Sequence, residues 1–235
     1  MADLLILAIE TATGCGSVAL TRGSVTGGKV LAEFTLQPEV THSRRLLGSV
    51  VAMMEAVGVQ WPEVDAVAVS QGPGSFTGLR IGMAAAKGIS LAADRPLFGV
   101  PTLDALAMQL TPTSLPVCCL LDARKQQVYV GRYRFTDAGY RRSGDFAVLA
   151  AEQLLATLEE PTLLVGPGAA VWAATLANHP LVRLHLSAVL HPRAAAVGLS
   201  AATRLAAGER GEENLLPLYV RASEAELNMR PLKEG

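Results

Sequence analysis

The apolar run from Leu4 to Ile9, set between Asp3 and Glu10, is followed by the turn-forming Thr11-Ala12-Thr13-Gly14-Cys15-Gly16 and a second apolar run from Ser17 to Leu20. That pattern predicts a β-hairpin. A third strand is expected over Lys29 to Leu36, after Gly27 and Gly28, with Pro38 closing it. Leu46, Leu47, Val50, Val51, Met54 and Val57 then recur at helical spacing, with Thr41 or Ser43 as N-cap and Gly58 as the stop. A strand over Val64 to Val69, the loop Gln71 to Phe76 and a small-residue helix from Thr77 to about Ala92 complete a βββαβα order. After a short strand at Leu97 to Gly99 and a helix capped by Thr102, the pattern restarts. Strands are expected at Val117 to Leu121 and Gln127 to Phe135 around the turn Asp122-Ala123-Arg124-Lys125, then a helix at Leu149 to Leu158 and a strand at Thr162 to Val165. The shared rhythm predicts a duplicated α/β architecture.

Composition narrows the function. Half of the 235 residues are apolar and 17% are charged, which is ordinary for a globular chain and excludes collagen, coiled coil and disorder. Twenty basic residues against twenty-one acidic ones leave no global field to draw the protein onto nucleic acid or an anionic membrane, so any RNA contact is local or made by a partner. The three cysteines, Cys15 and the adjacent Cys118 and Cys119, match neither a CxxC nor a zinc spacing, and neighbouring strand residues face opposite ways, so packed thiols in a reducing compartment are expected. The amino-terminal apolar run lacks a basic flank and is too short for a signal peptide or a membrane span, which predicts a cytoplasmic protein.

The loop Gly72-Pro73-Gly74-Ser75-Phe76-Thr77-Gly78 has the glycine content of a phosphate cradle at a helix N-terminus, but its spacing fits neither GxxxxGK[ST] nor GxGxxG. The plainer alternative is a tight strand-to-helix turn with Ser75 as cap. Gly78, Gly82 and Ala86, four apart, form a bare ridge that could pack on the protein's own sheet or, beside Leu46, Val50, Met54 and Val57, build half of an intermolecular bundle. The four histidines form no HxxxH or HExxH pair, so no metal site is expected. Residues 122 to 142 carry six cations against two carboxylates, yet Tyr129, Gly131, Tyr133 and Phe135 alternate with Val130, Arg132 and Arg134 as in a strand with one buried and one wet face.

Read together, Ile6-Leu7-Ala8-Ile9-Glu10-Thr11-Ala12-Thr13, His42-Ser43, Gly72 to Gly82, Gly99-Val100-Pro101-Thr102-Leu103, Leu121-Asp122-Ala123-Arg124 and Pro217-Leu218-Tyr219-Val220-Arg221 are more specific than any one alone. In this order they resemble the TsaB family, also called YeaZ, of bacterial tRNA threonylcarbamoyladenosine biosynthesis proteins. The resemblance covers nearly the whole chain and is densest over residues 4 to 104.

That resemblance implies an actin-like ATPase fold, of the ribonuclease H-like type, with two related βββαβα-type domains. The expected division is residues 1–102, residues 103–207 and a closing segment, 208–235, packing back on the first domain. It also implies a role beside a catalytic TsaD-like paralogue, with a TsaE-like ATPase as third member and tRNA reached through the complex. The product is threonylcarbamoyladenosine in the anticodon loop of tRNAs reading codons that begin with A. The paralogue's two metal-binding histidines fall here on Thr102 and Leu106, and its late aspartate ligand falls within His191-Pro192-Arg193-Ala194-Ala195-Ala196, so that metal site is lost. The second phosphate turn, Asp122 to Lys125, has no glycine, and Gly166-Pro167-Gly168 interposes a proline. The expectation is therefore a non-catalytic, stabilising subunit without a tightly bound cofactor, ATP being used by the wider complex. A nucleotide at the partner interface stays open, with Glu10, Thr11 and Thr13 as candidate contacts. Leu46, Val50, Met54, Val57, Gly78, Gly82 and Ala86 are the expected partner surface, usable for a weaker homodimer when the chain is alone. The alternatives are an independent actin-fold ATPase or kinase and a glycoprotein endopeptidase.

Overall fold

The computed structural model describes residues 3–36 and 46–221; Pro38, Thr41, His42 and Ser43 lie outside the described residues. Along the chain run β1 (Leu5–Glu10), β2 (Gly16–Arg22), β3 (Lys29–Leu36), α1 (Leu46–Val57), a 3-10 turn at Trp61–Glu63, β4 (Ala66–Gly72), α2 (Phe76–Ala93), β5 (Leu97–Pro101) and α3 (Thr102–Ala107). There follow β6 (Val117–Arg124), β7 (Gln127–Thr136), β8 (Gly139–Arg142), β9 (Ala147–Ala150), α4 (Ala151–Ala156), β10 (Thr162–Val165), α5 (Pro167–Val171), α6 (Ala173–Leu176), β11 (Val182–His185) and α7 (Ala194–Ala206).

The first sheet has the order β3-β2-β1-β4-β5, antiparallel through the β1–β2–β3 meander and parallel from β1 to β4 to β5. Every residue of β1 is buried because helices cover both faces of the sheet, which is why its sequence is a continuous apolar run. On one face Leu5, Leu7, Ile9, Val18 and Leu20 pack with Leu46, Val50, Met53 and Met54 of α1 and Met83, Ala86 and Ile89 of α2. On the other, Ile6, Ala8 and Ala19 meet Ala194, Val197, Ala201 and Ala202 of α7. The small side chains of α7 let it lie close: a Cβ on Gly198 would stand 2.5 Å from Thr21 Oγ1 and 3.2 Å from Ala8 Cβ. Although α7 follows the second sheet in sequence, it packs on the first.

The second sheet has the order β11-β10-β6-β7-β8, with β9 also pairing β7. Cys118 sits with Leu120, Val130 and Leu154 on one face, Cys119 with Leu103, Leu106 and Tyr133 on the other, and both are free thiols. Burial pushes the Cys118 thiol up to about 11, so it is an inert core group.

Three local expectations are corrected. The apolar run expected as a helix over Leu149–Leu158 begins as β9, where Leu149 pairs with Val128, and turns helical only at Ala151. Thr102 does not cap α3; it is the first helical residue, and its buried Oγ1 has no hydrogen-bond partner among the described residues. The β6–β7 turn falls two residues later than expected, at Lys125-Gln126, because β6 continues to Arg124.

The segment after α7 returns to the first sheet, with Leu215 buried in its core and Glu212 N donating to Leu97 O at 2.7 Å. Arg204 fastens it: the guanidinium donates to Gly99 O at 2.6 Å and pairs with Glu209 and Glu212. Arg204→Ala is expected to cost about 2 kcal/mol, the size of charge-assisted hydrogen bonds lost at a half-buried site. The loss should appear as a lower denaturation midpoint and faster amide exchange at Glu212.

Candidate functional site

The turn between β1 and β2 and the loop entering α2 are built against each other. Ser75 N donates to Ala12 O at 2.6 Å, Thr11 Oγ1 donates to Gly78 O at 2.8 Å, and Thr11 N donates to Ser70 Oγ at 3.4 Å. Ser75 Oγ accepts from Gly78 N at 3.3 Å, as its role of cap requires. A Cβ on Gly74 would collide with Ala12 and one on Gly78 with Thr11 O, while Gly72, at φ +115°, lies against Leu218 O. The Gly72–Gly78 loop is therefore a close-packing turn whose glycines receive the chain's own Thr11-Ala12.

Of the three residues expected to face a nucleotide, Thr11 is buried and tied to α2 as above, and Thr13 Oγ1 donates to Cys15 O within its own turn. Glu10 is fully buried; its Oε1 accepts from Ala12 N, while Oε2 has no hydrogen-bond partner among the described residues. Burial raises its pKa to about 7, against the opposing hydrogen bonds from Ala12 and Ser70. Such a carboxyl can exchange a proton near neutrality.

Where the paralogue's metal ligands would fall, Thr102 and Leu106 are both buried, and the described residues contain no group of three metal-ligating side chains. The N-terminus of α7 is closed by side chains that the sequence reading missed. Ser17 Oγ accepts from Ala194 N at 2.9 Å and Glu33 Oε1 accepts from Ala195 N at 3.0 Å, with Arg193 paired to Glu33. Only the fold brings β2 and β3 to that helix end; the local sequence has no cap signal. Gly166 and Gly168 pack on the Leu120-Leu121 backbone. The β6–β7 turn holds three successive non-glycine residues in the left-handed region, Arg124, Lys125 and Gln126, at φ 58°, 47° and 60°. Two of these form a primed hairpin turn, strained for side-chain-bearing residues.

The expected partner residues turn inward, and that expectation is corrected. Leu46, Val50 and Met54 are core residues and Val57 packs against the same core. Gly78, Gly82 and Ala86 are buried, and a Cβ on Gly82 would collide with Thr11 Oγ1. The ridge thus packs on the protein's own β1–β2 turn. The outward faces of the same two helices are nonetheless apolar. Leu47 is 55% exposed and Val51 48%, and between α1 and α2 a groove is lined by Leu47, Trp61, Ala85, Gly88, Ile89 and Ala92. Both helices carry a glycine on this side, Gly48 and Gly88, and a Cβ on either would meet nothing within 4 Å.

The family model for TsaD, tRNA N6-adenosine threonylcarbamoyltransferase, matches residues 29–229. The tRNA threonylcarbamoyladenosine biosynthesis protein TsaB of Escherichia coli strain K12 is 35% identical over 173 residues, covering 71% of this chain and 73% of that relative. The chain belongs to the TsaB family. TsaB of Bacillus subtilis strain 168 is 27% identical over 228 residues, 95% of this chain and 96% of its own. The structure of YeaZ from Pseudomonas aeruginosa superposes with a TM-score of 0.77 at 30% identity, covering 92% of this chain and 99% of that one. The fold is the actin-like, ribonuclease H-like α/β fold with two sheets that the TsaB resemblance implied.

Proposed function

We propose that the chain is a non-catalytic subunit that stabilises and activates a TsaD-type threonylcarbamoyltransferase in forming N6-threonylcarbamoyladenosine in tRNA. Membership of the TsaB family supports the role in this modification. No helix among the described residues is long and apolar enough to cross a membrane, in keeping with action in the cytoplasm. In this reading the subunit binds no nucleotide tightly by itself, and a TsaE-like ATPase uses ATP within the wider complex.

One observation carries the subunit assignment. A glycine inside a helix destabilises it by about 1 kcal/mol relative to alanine, and Gly48 and Gly88 have no packing reason among the described residues. A second backbone approaching the α1–α2 face would use both, and the exposed Leu47 and Val51 would then be buried. Two helices from a related subunit would complete a four-helix bundle, and a second copy of this chain would form a weaker homodimer there. Gly88→Arg tests this. The variant should keep its circular dichroism spectrum and a denaturation midpoint no lower than the wild type's, yet fail to co-elute with the TsaD-type partner. Undiminished co-elution of the folded variant would place the interface elsewhere.

A further inference from the structure

The segment that closes the chain carries an aromatic ring to the start of α2. Phe76 and Tyr219 are 40% and 37% exposed, with ring centroids 5.3 Å apart and planes 27° from parallel. The Arg80 guanidinium lies 3.8 Å from the Phe76 ring centroid, and its Nε donates to Tyr219 Oη at 3.2 Å. The stack is held from below: Leu218 N donates to Gln71 O at 2.7 Å and Gln71 Nε2 donates to Leu216 O at 3.0 Å. Two residues on, Arg221 donates to Ala123 O and Gln127 Oε1, both at 3.3 Å, so the segment reaches the β6–β7 hairpin.

The basic stretch begins at that hairpin. Farther along, Arg132 donates to Thr157 Oγ1, Arg134 pairs with Glu160, and Arg142 lies against Asp104 and Phe146. Arg124 and Lys125 are exposed on the left-handed turn described above. The ring pair with Arg80, and Arg221 with Arg124 and Lys125 at the hairpin that it reaches, thus lie along one edge of the molecule, beside the helix whose outer face the partner would cover.

We propose that this edge holds an unpaired stretch of RNA, with a base stacked on the Tyr219–Phe76 platform and phosphates at the β6–β7 turn. Bases splayed from a loop are recognised by stacking on aromatic and guanidinium planes, and phosphates by lysine and arginine. An acidic peptide would use the cations but leave the ring faces idle. The near-neutral charge of the chain makes such a contact local. The proposal deepens the subunit reading, because it has the substrate RNA touch this chain as well as the enzyme beside it.

The probe is an anticodon stem–loop RNA with 2-aminopurine in its loop, titrated into the isolated chain and into its complex with the TsaD-type partner. Stacking should quench the fluorophore in both. Tyr219→Leu should remove the quench and Tyr219→Phe restore it. In Arg124→Gln/Lys125→Gln, affinity should fall about tenfold while co-elution with the partner is kept, and the log–log salt slope should flatten by roughly 1.4 for two phosphate contacts. Unchanged affinity and slope would overturn the proposal, as would a loss that accompanies dissociation of the partner. Because the isolated chain is measured too, failure of the partner to associate is seen separately from failure of the RNA contact.

Discussion

Gly82→Arg is expected to prevent folding. The Gly82 Cα faces Thr11, whose hydroxyl already donates to Gly78 O, and a Cβ there would also stand 3.6 Å from Ile9 Cγ2. Even Gly82→Ala overpacks this contact, at about 1–3 kcal/mol, which outweighs the roughly 1 kcal/mol that alanine gains in helix propensity. A guanidinium at the same place adds a buried, unpaired charge worth several kcal/mol more, comparable with the 5–15 kcal/mol that hold a typical domain folded. Gly88→Ala is the control, since its Cβ enters open space and should stabilise α2 by about 1 kcal/mol. Denaturant midpoints of the two alanine variants should therefore move in opposite directions. A folded Gly82→Arg protein with an unchanged midpoint would mean that α2 does not lie on Thr11 as described.

Stability should fall as pH rises from about 5 to 8, and Glu10→Gln should remove most of that fall. The folded-state pKa of about 7 lies above the ordinary 4.5, so the neutral carboxyl's contribution is complete below the unfolded value and is lost as pH rises through the folded one. At 1.36 kcal/mol per pK unit the ceiling is about 3 kcal/mol. Asp104, raised by burial against its Tyr133 hydrogen bond, acts in the same direction. His191 acts oppositely: burial and then Arg193 lower its pKa, so its contribution is lost as pH falls below the ordinary histidine range. The glutamine variant isolates Glu10, and at pH 8 it should be more stable than the wild type. Parallel wild-type and Glu10→Gln stability curves between pH 5 and 8 would contradict the buried placement.

The elements that were legible in the sequence are those whose signals are local. The bounds of β3 and β10 follow from turn residues at both ends, and Ser75 announces the start of α2. The run from Leu149 read as helix because a short apolar stretch has no period of its own; its strand half is decided by pairing with β7. The helical stripe on α1 and the Gly78-Gly82-Ala86 ridge read as a partner surface in the sequence, but the fold lays the stripe on the core of the first sheet and the ridge on Thr11, some seventy residues away. Gly82 and Gly88 look alike in a string of letters. Only the fold shows one pressed on Thr11 and the other open. The Glu33 and Ser17 caps on α7 and the Tyr219–Phe76 stack were hidden for the same reason, since each joins residues far apart in the chain.

The most direct test of the subunit assignment is tRNA modification by the purified TsaD-type enzyme, with its threonylcarbamoyl donor, alone, with this chain, and with folded Gly88→Arg. The account predicts little product from the enzyme alone, full modification when the wild-type chain is added, and none of that gain with Gly88→Arg. Full activity of the enzyme alone, or equal stimulation by Gly88→Arg, would contradict it.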